Sequence, residues 1–244
     1  MKIEGSIGFV TGASRGLGLA FARELLERGA SKVYAGVRNP DGFDEAGVVP
    51  VKVDVNDSVS VREAVKKCSD VTLLINNAGI VQTDVEGVLD KSLIERSRAI
   101  FETNFYGMIR ASQAFAPVIT RNGGGAIVNV LSDATWFSRP VLASYSASKS
   151  AAWSFTNALR TELRETAIQI VGLHVGFIDT DMTREVDTKK SDPRDVAAAA
   201  LSGLENNEEE VLADESTRAL KQTLSTSSGY YLNPQPLPGF SPRR

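Results

Sequence analysis

Short runs of apolar, often β-branched residues recur along this chain and alternate with longer stretches of three-to-four-residue period. The runs at 6–11, 32–36, 49–54, 72–76, 126–131 and 169–175, with a weaker one at 210–212, have the length and composition of strands. Between them, 17–28 places Leu17, Ala20, Phe21, Leu25 and Leu26 on one helix face, and 58–68 does the same with Val61, Ala64, Val65 and Cys68. Residues 89–115, 146–164 and 194–205 carry the same helical period. Strands that are apolar throughout, rather than at alternate positions, are buried on both faces. Helices between successive strands provide that cover when the sheet is parallel. The pattern therefore predicts the α/β class, as a single doubly wound domain with a mostly parallel sheet.

Two segments break the pattern. The link at 37–48 is close to the minimum for a parallel crossover and contains Asn39-Pro40-Asp41-Gly42, so its helix is at most a turn or two. Residues 230–244 hold four of the nine prolines and no period, which predicts an extended or disordered tail after a domain at 1–229.

Composition narrows the chemistry. With 244 residues, 42% hydrophobic and 23% charged, the chain reads as one globular unit of a size common for α/β domains. Twenty-seven basic and thirty acidic residues give a net charge of -3 without a sustained basic block, which argues against a nucleic-acid partner. The lone Cys68 cannot form an intrachain disulfide, and the lone His174 cannot build a multi-histidine metal site, so no metal site is expected. The apolar run around His174 predicts a satisfied, partly buried ring rather than a catalyst. Met1-Lys2-Ile3-Glu4-Gly5 does not read as a signal peptide, and no run approaches a bilayer span, so a reducing, cytoplasmic setting is expected, with no membrane partner.

Candidate chemistry lies at strand ends. Thr11-Gly12-Ala13-Ser14-Arg15-Gly16-Leu17-Gly18 joins the first strand to the first helix. Glycines there let backbone approach a pyrophosphate, and the helix N-terminus attracts its charge. The spacing differs from G-x-G-x-x-G, and the Lys-Ser/Thr ending of a triphosphate-binding loop is missing. Farther on, Tyr145 and Lys149 stand four residues apart, on one helix face. A neighbouring ammonium favours the phenolate and lowers the phenol pKa, which would make the tyrosine a usable acid and base.

These motifs, with Asn76-Asn77-Ala78-Gly79 at the fourth strand end, Asn104 in Thr103-Asn104-Phe105-Tyr106-Gly107, and Ser132 thirteen residues before Tyr145, together resemble the short-chain dehydrogenase/reductase family. The resemblance runs from about Ile3 to Leu224 and implies a Rossmann-like seven-stranded sheet and nicotinamide-dependent hydride transfer. It implies that Tyr145 exchanges a proton with the substrate oxygen, that Ser132 hydrogen-bonds the same oxygen, that Lys149 tunes Tyr145 and holds the cofactor ribose, and that Asn104 anchors a proton-leading water. Cofactor contacts are implied for Gly12, Ser14, Arg15, Gly16, Leu17, Gly18, Asp54, Val55, Asn76, Ala78, Tyr145, Lys149 and Thr180. The family proline before Gly176 is Val175 here, which restores an N–H and loosens φ near Phe177 and Ile178.

Family members specific for NAD place an acid at the end of the second strand. This chain has Gly36-Val37-Arg38, so Arg38 and Arg15 are expected to clamp a 2′-phosphate, making the cofactor NADP(H). The expected substrate wall, Val81, Ala134, Thr135, Trp136, Phe137, Val141, Phe177 and Met182, carries no charge and suits a small or medium apolar or aromatic ketone or alcohol. Residues 181–192 are too short and polar to close over a larger ligand, and the proline-rich tail is a candidate cover for the pocket mouth. Helices 103–119 and 145–165 carry apolar surface beyond the needs of one sheet face, Trp153 and Phe155 included, and family members pair them, so a homodimer or homotetramer is expected. The rival function is a catalytically silent dinucleotide-binding regulator, which would be expected to lose Ser132, Tyr145 or Lys149. All three are present.

Overall fold

The computed structural model describes residues 1–84 and 86–237. Seven strands, β1 (Ile7–Thr11), β2 (Lys32–Val37), β3 (Val48–Lys52), β4 (Leu73–Asn76), β5 (Gly125–Val130), β6 (Ile168–His174) and β7 (Glu210–Leu212), form one sheet. Their order is β3-β2-β1-β4-β5-β6-β7, and every pairing is parallel. The chain winds outward from β1 in one direction, returns to β4, and winds outward in the other, so the sheet reverses between β1 and β4.

The two-residue side-chain period of the strands sorts the core into two layers. Val10, Ala35, Ile75, Val128 and Val171 face α1 (Gly16–Glu27) and α6 (Pro193–Glu205), where Phe21, Leu25, Leu201 and Leu204 meet them. Phe9, Leu74, Ile127 and Ile170 face α2 (Ser58–Lys67) and α4 (Met108–Arg121), with the Phe115 ring tilted against Phe9 at 4.6 Å. Aspartates cap the starts of α2 and α6: Asp57 Oδ1 accepts from Val59 N (2.8 Å) and Asp192 Oδ1 from Arg194 N (2.8 Å).

The sequence pattern departs from the structure in three places, while the abbreviated link after β2 is met as expected. The helix expected over 89–115 begins at α3 (Leu93–Phe101) and passes through a π-helical turn, Glu102–Gly107, before α4. Gly107 in that turn lies against β3's exit, where a Cβ would stand 2.8 Å from Val55 Cγ2. The link at 38–47 contains turns and no helix. The long helix α5 (Ala143–Glu162) starts three residues earlier than its period suggests, and α7 (Glu215–Thr223) has no predicted counterpart, because Thr217 is its one fully sequestered residue.

The described part of the proline-rich tail is packed rather than loose. Arg139 donates from Nε to Gln235 O (2.7 Å) and from Nη2 to Tyr230 Oη (3.0 Å), and Leu237 is buried against Val141 and Leu142. Among the described residues no helix is long and apolar enough to cross a membrane, and no group of three or more His, Cys, Asp or Glu could hold a metal ion.

The sheet reversal is held by one hydroxyl. Buried Thr11 Oγ1 accepts from the backbone N–H groups of Asn77 and Ala78 (3.0 Å each) and donates to Ile75 O (3.3 Å). Thr11→Val keeps the shape and strands those amides, so we expect a loss of about 2 kcal/mol in denaturant-measured stability. A change under about 0.5 kcal/mol would contradict this role.

Candidate active site

All seven strands point the same way, so their C-terminal ends share one edge, and the reversal between β1 and β4 opens a crevice there. That crevice is a cleft of about 850 Å³. Its β1 side is the glycine loop, with Gly12 at φ +67° and Gly16 at φ +55°, conformations that favour glycine. A Cβ on Gly18 would sit 2.3 Å from Gly12 O, so only glycine lets α1 pack this closely on the loop. Arg15 is the N-cap of α1 and makes no side-chain cap, leaving the first helical N–H groups directed at the cleft. Asn77 Nδ2 fastens the loop from the β4 side by donating to Thr11 O (2.9 Å) and Gly12 O (3.2 Å). The open glycine cradle, the uncapped helix start and a crevice at the sheet reversal fit a dinucleotide.

The implied cofactor residues line this cleft with one exception: Gly12, Ser14, Arg15, Gly16, Leu17, Gly18, Arg38, Asp54, Val55, Ala78, Tyr145, Lys149 and Thr180 are all on its wall. Arg15 is exposed and ion-paired with Asp181 (2.9 Å). Asp54 already accepts from Asn56 N through Oδ1 (2.9 Å), holding the turn after β3. The exception is Asn76. Its side chain turns into the core, donating to Ser112 Oγ (2.9 Å) and Asn129 Oδ1 (2.8 Å), because β4 alternates its side chains and this position faces α4. The expected cofactor contact of Asn76 is therefore corrected to a packing role, and its neighbour Asn77, absent from the expected set, lines the cleft.

The reacting end lies beyond β5. Ser132 has extended backbone and caps the turn Asp133–Thr135, with Oγ accepting from Ala134 N (3.1 Å) and donating to Asp133 Oδ1 (3.1 Å). Tyr145 and Lys149 stand one turn apart on α5, with Lys149 Nζ 5.8 Å from the Tyr145 ring centre and donating to Val130 O (2.8 Å). Burial lowers the Lys149 ammonium to about 8. Burial also pushes the Tyr145 phenol up to about 12, with the Ser132 hydroxyl pulling it down and the Asp133 carboxylate pushing it further up. The expected depression of the phenol by Lys149 is not met in this arrangement, because the ammonium is turned to Val130 O. Asp133 itself is lifted by burial to about 6. It lines the cleft beside Ser132, a charged neighbour the expected wall lacked.

Asn104 is buried under the cleft floor rather than on it. Its amide spans Ile80, accepting from Ile80 N (2.8 Å) and donating to Ile80 O (2.9 Å), and also donates to Ser148 Oγ (3.1 Å). It fixes the strand-end backbone that passes Lys149; the π-helical turn sets it at that depth.

Half of the expected substrate wall is in place. Val81, Ala134, Phe177 and Met182 line the cleft; Thr135, Trp136, Phe137 and Val141 do not. The turn after Ser132 carries Thr135 and Trp136 away, and Phe137 and Val141 pack behind the wall. Thr135 is buried and its carbonyl accepts from Ser150 Oγ (2.6 Å), Trp136 stacks on His174, Phe137 packs edge-on against Tyr230, and Val141 joins Leu237. In their stead Arg139, Leu142, Val186 and Leu237 complete the wall. Nothing in the apolar period marked Leu237, since its place depends on the tail folding back onto Arg139. Val175 does not leave the following segment loose: Gly176 N donates to Asp214 Oδ2 (2.7 Å), and residues 177–179 are bonded to Ser191 on both sides.

Comparison with known proteins agrees with this geometry. A short chain dehydrogenase family profile matches residues 7–191. The 3-oxoacyl-acyl-carrier-protein reductase FabG of Escherichia coli is 30% identical, over 95% of this chain and 100% of that protein. A short chain dehydrogenase from Burkholderia cenocepacia, solved in complex with NADP, superposes with a TM-score of 0.87 at 40% identity, covering 93% of this chain and 95% of that one. One from Burkholderia phymatum, solved with NAD, shares the fold at a TM-score of 0.80 and 23% identity, covering 91% and 94%. The fold and cleft define a dinucleotide-dependent oxidoreductase. The chain belongs to the short-chain dehydrogenase family.

Holding Lys149 charged in this floor costs stability. Its folded value of about 8 lies below the 10.5 of the free side chain, so the cost is complete below pH 8 and fades as pH rises towards 10.5. We expect Lys149→Met to raise stability at pH 7 by about 2 kcal/mol, after loss of the bond to Val130 O, and the gain to fall to zero at about pH 9.5 and reverse above it. Thermal melts of both proteins across that range check this.

Proposed function

We propose that this protein is an NADPH-preferring carbonyl reductase or alcohol dehydrogenase acting on a small or medium apolar or aromatic ketone or alcohol. The observation that carries the reading is the convergence of Ser132, Tyr145 and Lys149 on one end of a dinucleotide-shaped cleft whose other end presents Arg38. When bound, the nicotinamide supplies or accepts the hydride. Tyr145 gives its phenolic proton to the substrate oxygen during reduction and takes it back during oxidation. Ser132 donates to the same oxygen, where negative charge develops, once its hydroxyl leaves Asp133. Lys149 holds the ribose hydroxyls, and Asn104 supports it by pinning Ile80.

Arg38, not an acid, follows β2 on the cleft wall, and Arg15 reaches it from the glycine loop by leaving its exposed pair with Asp181, a pair worth at most about 1 kcal/mol. A guanidinium there favours a 2′-phosphate. The substrate end is mostly apolar, through Val81, Ala134, Leu142, Phe177, Met182 and Leu237, with Asp133 and Arg139 beside them. The Escherichia coli relative is named for a 3-oxoacyl substrate, a ketone bearing an alkyl chain, which this lining suits. Phe105, Trp153 and Phe155 are only partly buried on the helices after β4 and β5, which supports a homodimer or homotetramer through that face. Sedimentation at micromolar concentration should show a species larger than 26.2 kDa.

Two variants test the reading. Arg38→Ala should weaken NADPH roughly 10- to 150-fold with little change for NADH; equal tightness for both cofactors in the unaltered protein would reject the preference. Tyr145→Phe should fold and bind NADPH yet retain under about a hundredth of kcat across a ketone panel. Retention of a tenth would mean that another group delivers the proton. NADPH binding without turnover on any carbonyl would instead make the protein a regulator.

A further inference from the structure

We propose that His174 is a positioning residue for Ser132: its ring holds both ends of the turn that carries the serine hydroxyl into the cleft. The proposal rests on the role given to Ser132 above.

His174 ends β6 and is completely buried. Its Nδ1 lies 3.0 Å from Ser132 O, and its ring stacks on Trp136, with centres 4.1 Å apart and planes 16° from parallel. Ser132 and Trp136 flank the single turn Asp133–Thr135. One side chain therefore grips that turn at its entrance by a hydrogen bond and at its exit by ring contact. The ladder beyond β5 holds the residues on either side, through Leu131 N to Leu173 O (2.8 Å) and Asp133 N to Val175 O (3.0 Å), and leaves the Ser132 carbonyl to the ring. Ser132 O takes its remaining bond from Thr135 N (3.3 Å), within the turn.

A carbonyl oxygen only accepts, so the contact requires the proton on Nδ1. Nε2 lies 3.3 Å from Glu210 Oε1 without making a hydrogen bond, so the ring's one hydrogen bond is the Nδ1 contact to Ser132 O. Lys221 of α7 pairs with Glu210, offsetting the carboxylate charge, and lies 5.5 Å from the Trp136 ring centre. Burial lowers the imidazole to about 4, against the pull of Ser132 O, and Lys221, Lys149 and Arg160 oppose a charge on it in the same direction. The ring stays neutral at physiological pH and acts as a fixed donor.

The consequence reaches the chemistry through Ser132. That hydroxyl pulls the Tyr145 phenol down, while Asp133 pushes it up. Loosening the turn should weaken the serine's pull and move the tyrosine towards higher pKa, besides misplacing the donor for the substrate oxygen.

The chain has one histidine, so imidazole nitrogen shifts of the uniformly labelled protein are unambiguous. The expected result is the neutral Nδ1–H tautomer at pH 7; the Nε2–H tautomer or an imidazolium would overturn the proposal. His174→Phe retains the stack and deletes the donor, whereas His174→Asn places an amide N–H near the Nδ1 position. We expect the Phe variant to lose roughly 10- to 100-fold in kcat with NADPH Kd within about twofold, and to shift the rising limb of the alcohol-oxidation profile, where Tyr145 loses its proton, to higher pH. The Asn variant, with the donor and without the stack, should return the profile most of the way to that of the unaltered protein. A Phe variant with unaltered kcat and profile, or an Asn variant whose profile is displaced like that of Phe, would overturn it. If the Phe variant does not fold, the tautomer and the Asn profile decide. Absence of carbonyl turnover in the unaltered protein would count against the proposed function alone, and the tautomer would still decide whether His174 donates to Ser132.

Discussion

The site depends on how the sheet is held open where its winding reverses. Neighbouring parallel strands whose chains run off in opposite directions leave a gap at their C-terminal ends, and backbone groups there lose their ladder partners. Thr11 supplies the missing acceptor for two amides beyond β4, and Asn77 returns the favour to the carbonyls of the glycine loop. With those bonds in place the loop, the start of α1 and the strand end of β4 form one rigid wall. The dinucleotide cleft is the space that this wall and its β5–β6 counterpart enclose.

Around that space the protein accepts local costs that a purely structural core would avoid. Lys149 is buried with a single carbonyl partner, Asp133 is lifted towards neutrality by desolvation, and the Tyr145 phenol is raised rather than lowered. Each group is held away from the protonation behaviour it would have in water, as is common where protons are exchanged. Rigidity comes from the layer behind them. Asn76, Asn129 and Thr156 bond in series through the core between β4, β5 and α5, while Asn104 and Ser148 brace the backbone beneath Lys149. His174 and Trp136 do the equivalent on the β6 side.

The substrate end is less regular than the cofactor end, and this reflects who builds it. The cofactor wall comes from strand ends and one helix, whose positions follow from the sheet. The substrate wall comes from the loop after β5, the segment after β6 and the tail, brought together by Arg139 with Tyr230 and Gln235, and by Gly176 with Asp214. A wall of this kind can change without disturbing the sheet, which is consistent with one fold serving many carbonyl substrates.

Periodicity along the chain determined the seven strands, the doubly wound class and most helices, because burial of both sheet faces imposes a pattern that any window of residues displays. The glycine loop and the Tyr145–Lys149 spacing were legible for the same reason: each is local, a matter of neighbours in sequence. What only the tertiary structure decided is orientation beyond the strand ends. Trp136 belongs to the wall by its position in sequence, yet the turn after Ser132 rotates it onto His174, 38 residues away in sequence. Asn76 and Asn77 differ by one step, and the strand alternation sends the first into the core and the second to the cleft. Leu237 reached the pocket only because Arg139, on another segment, offers the tail two hydrogen bonds. Such placements depend on partners distant along the chain, so no local pattern encodes them.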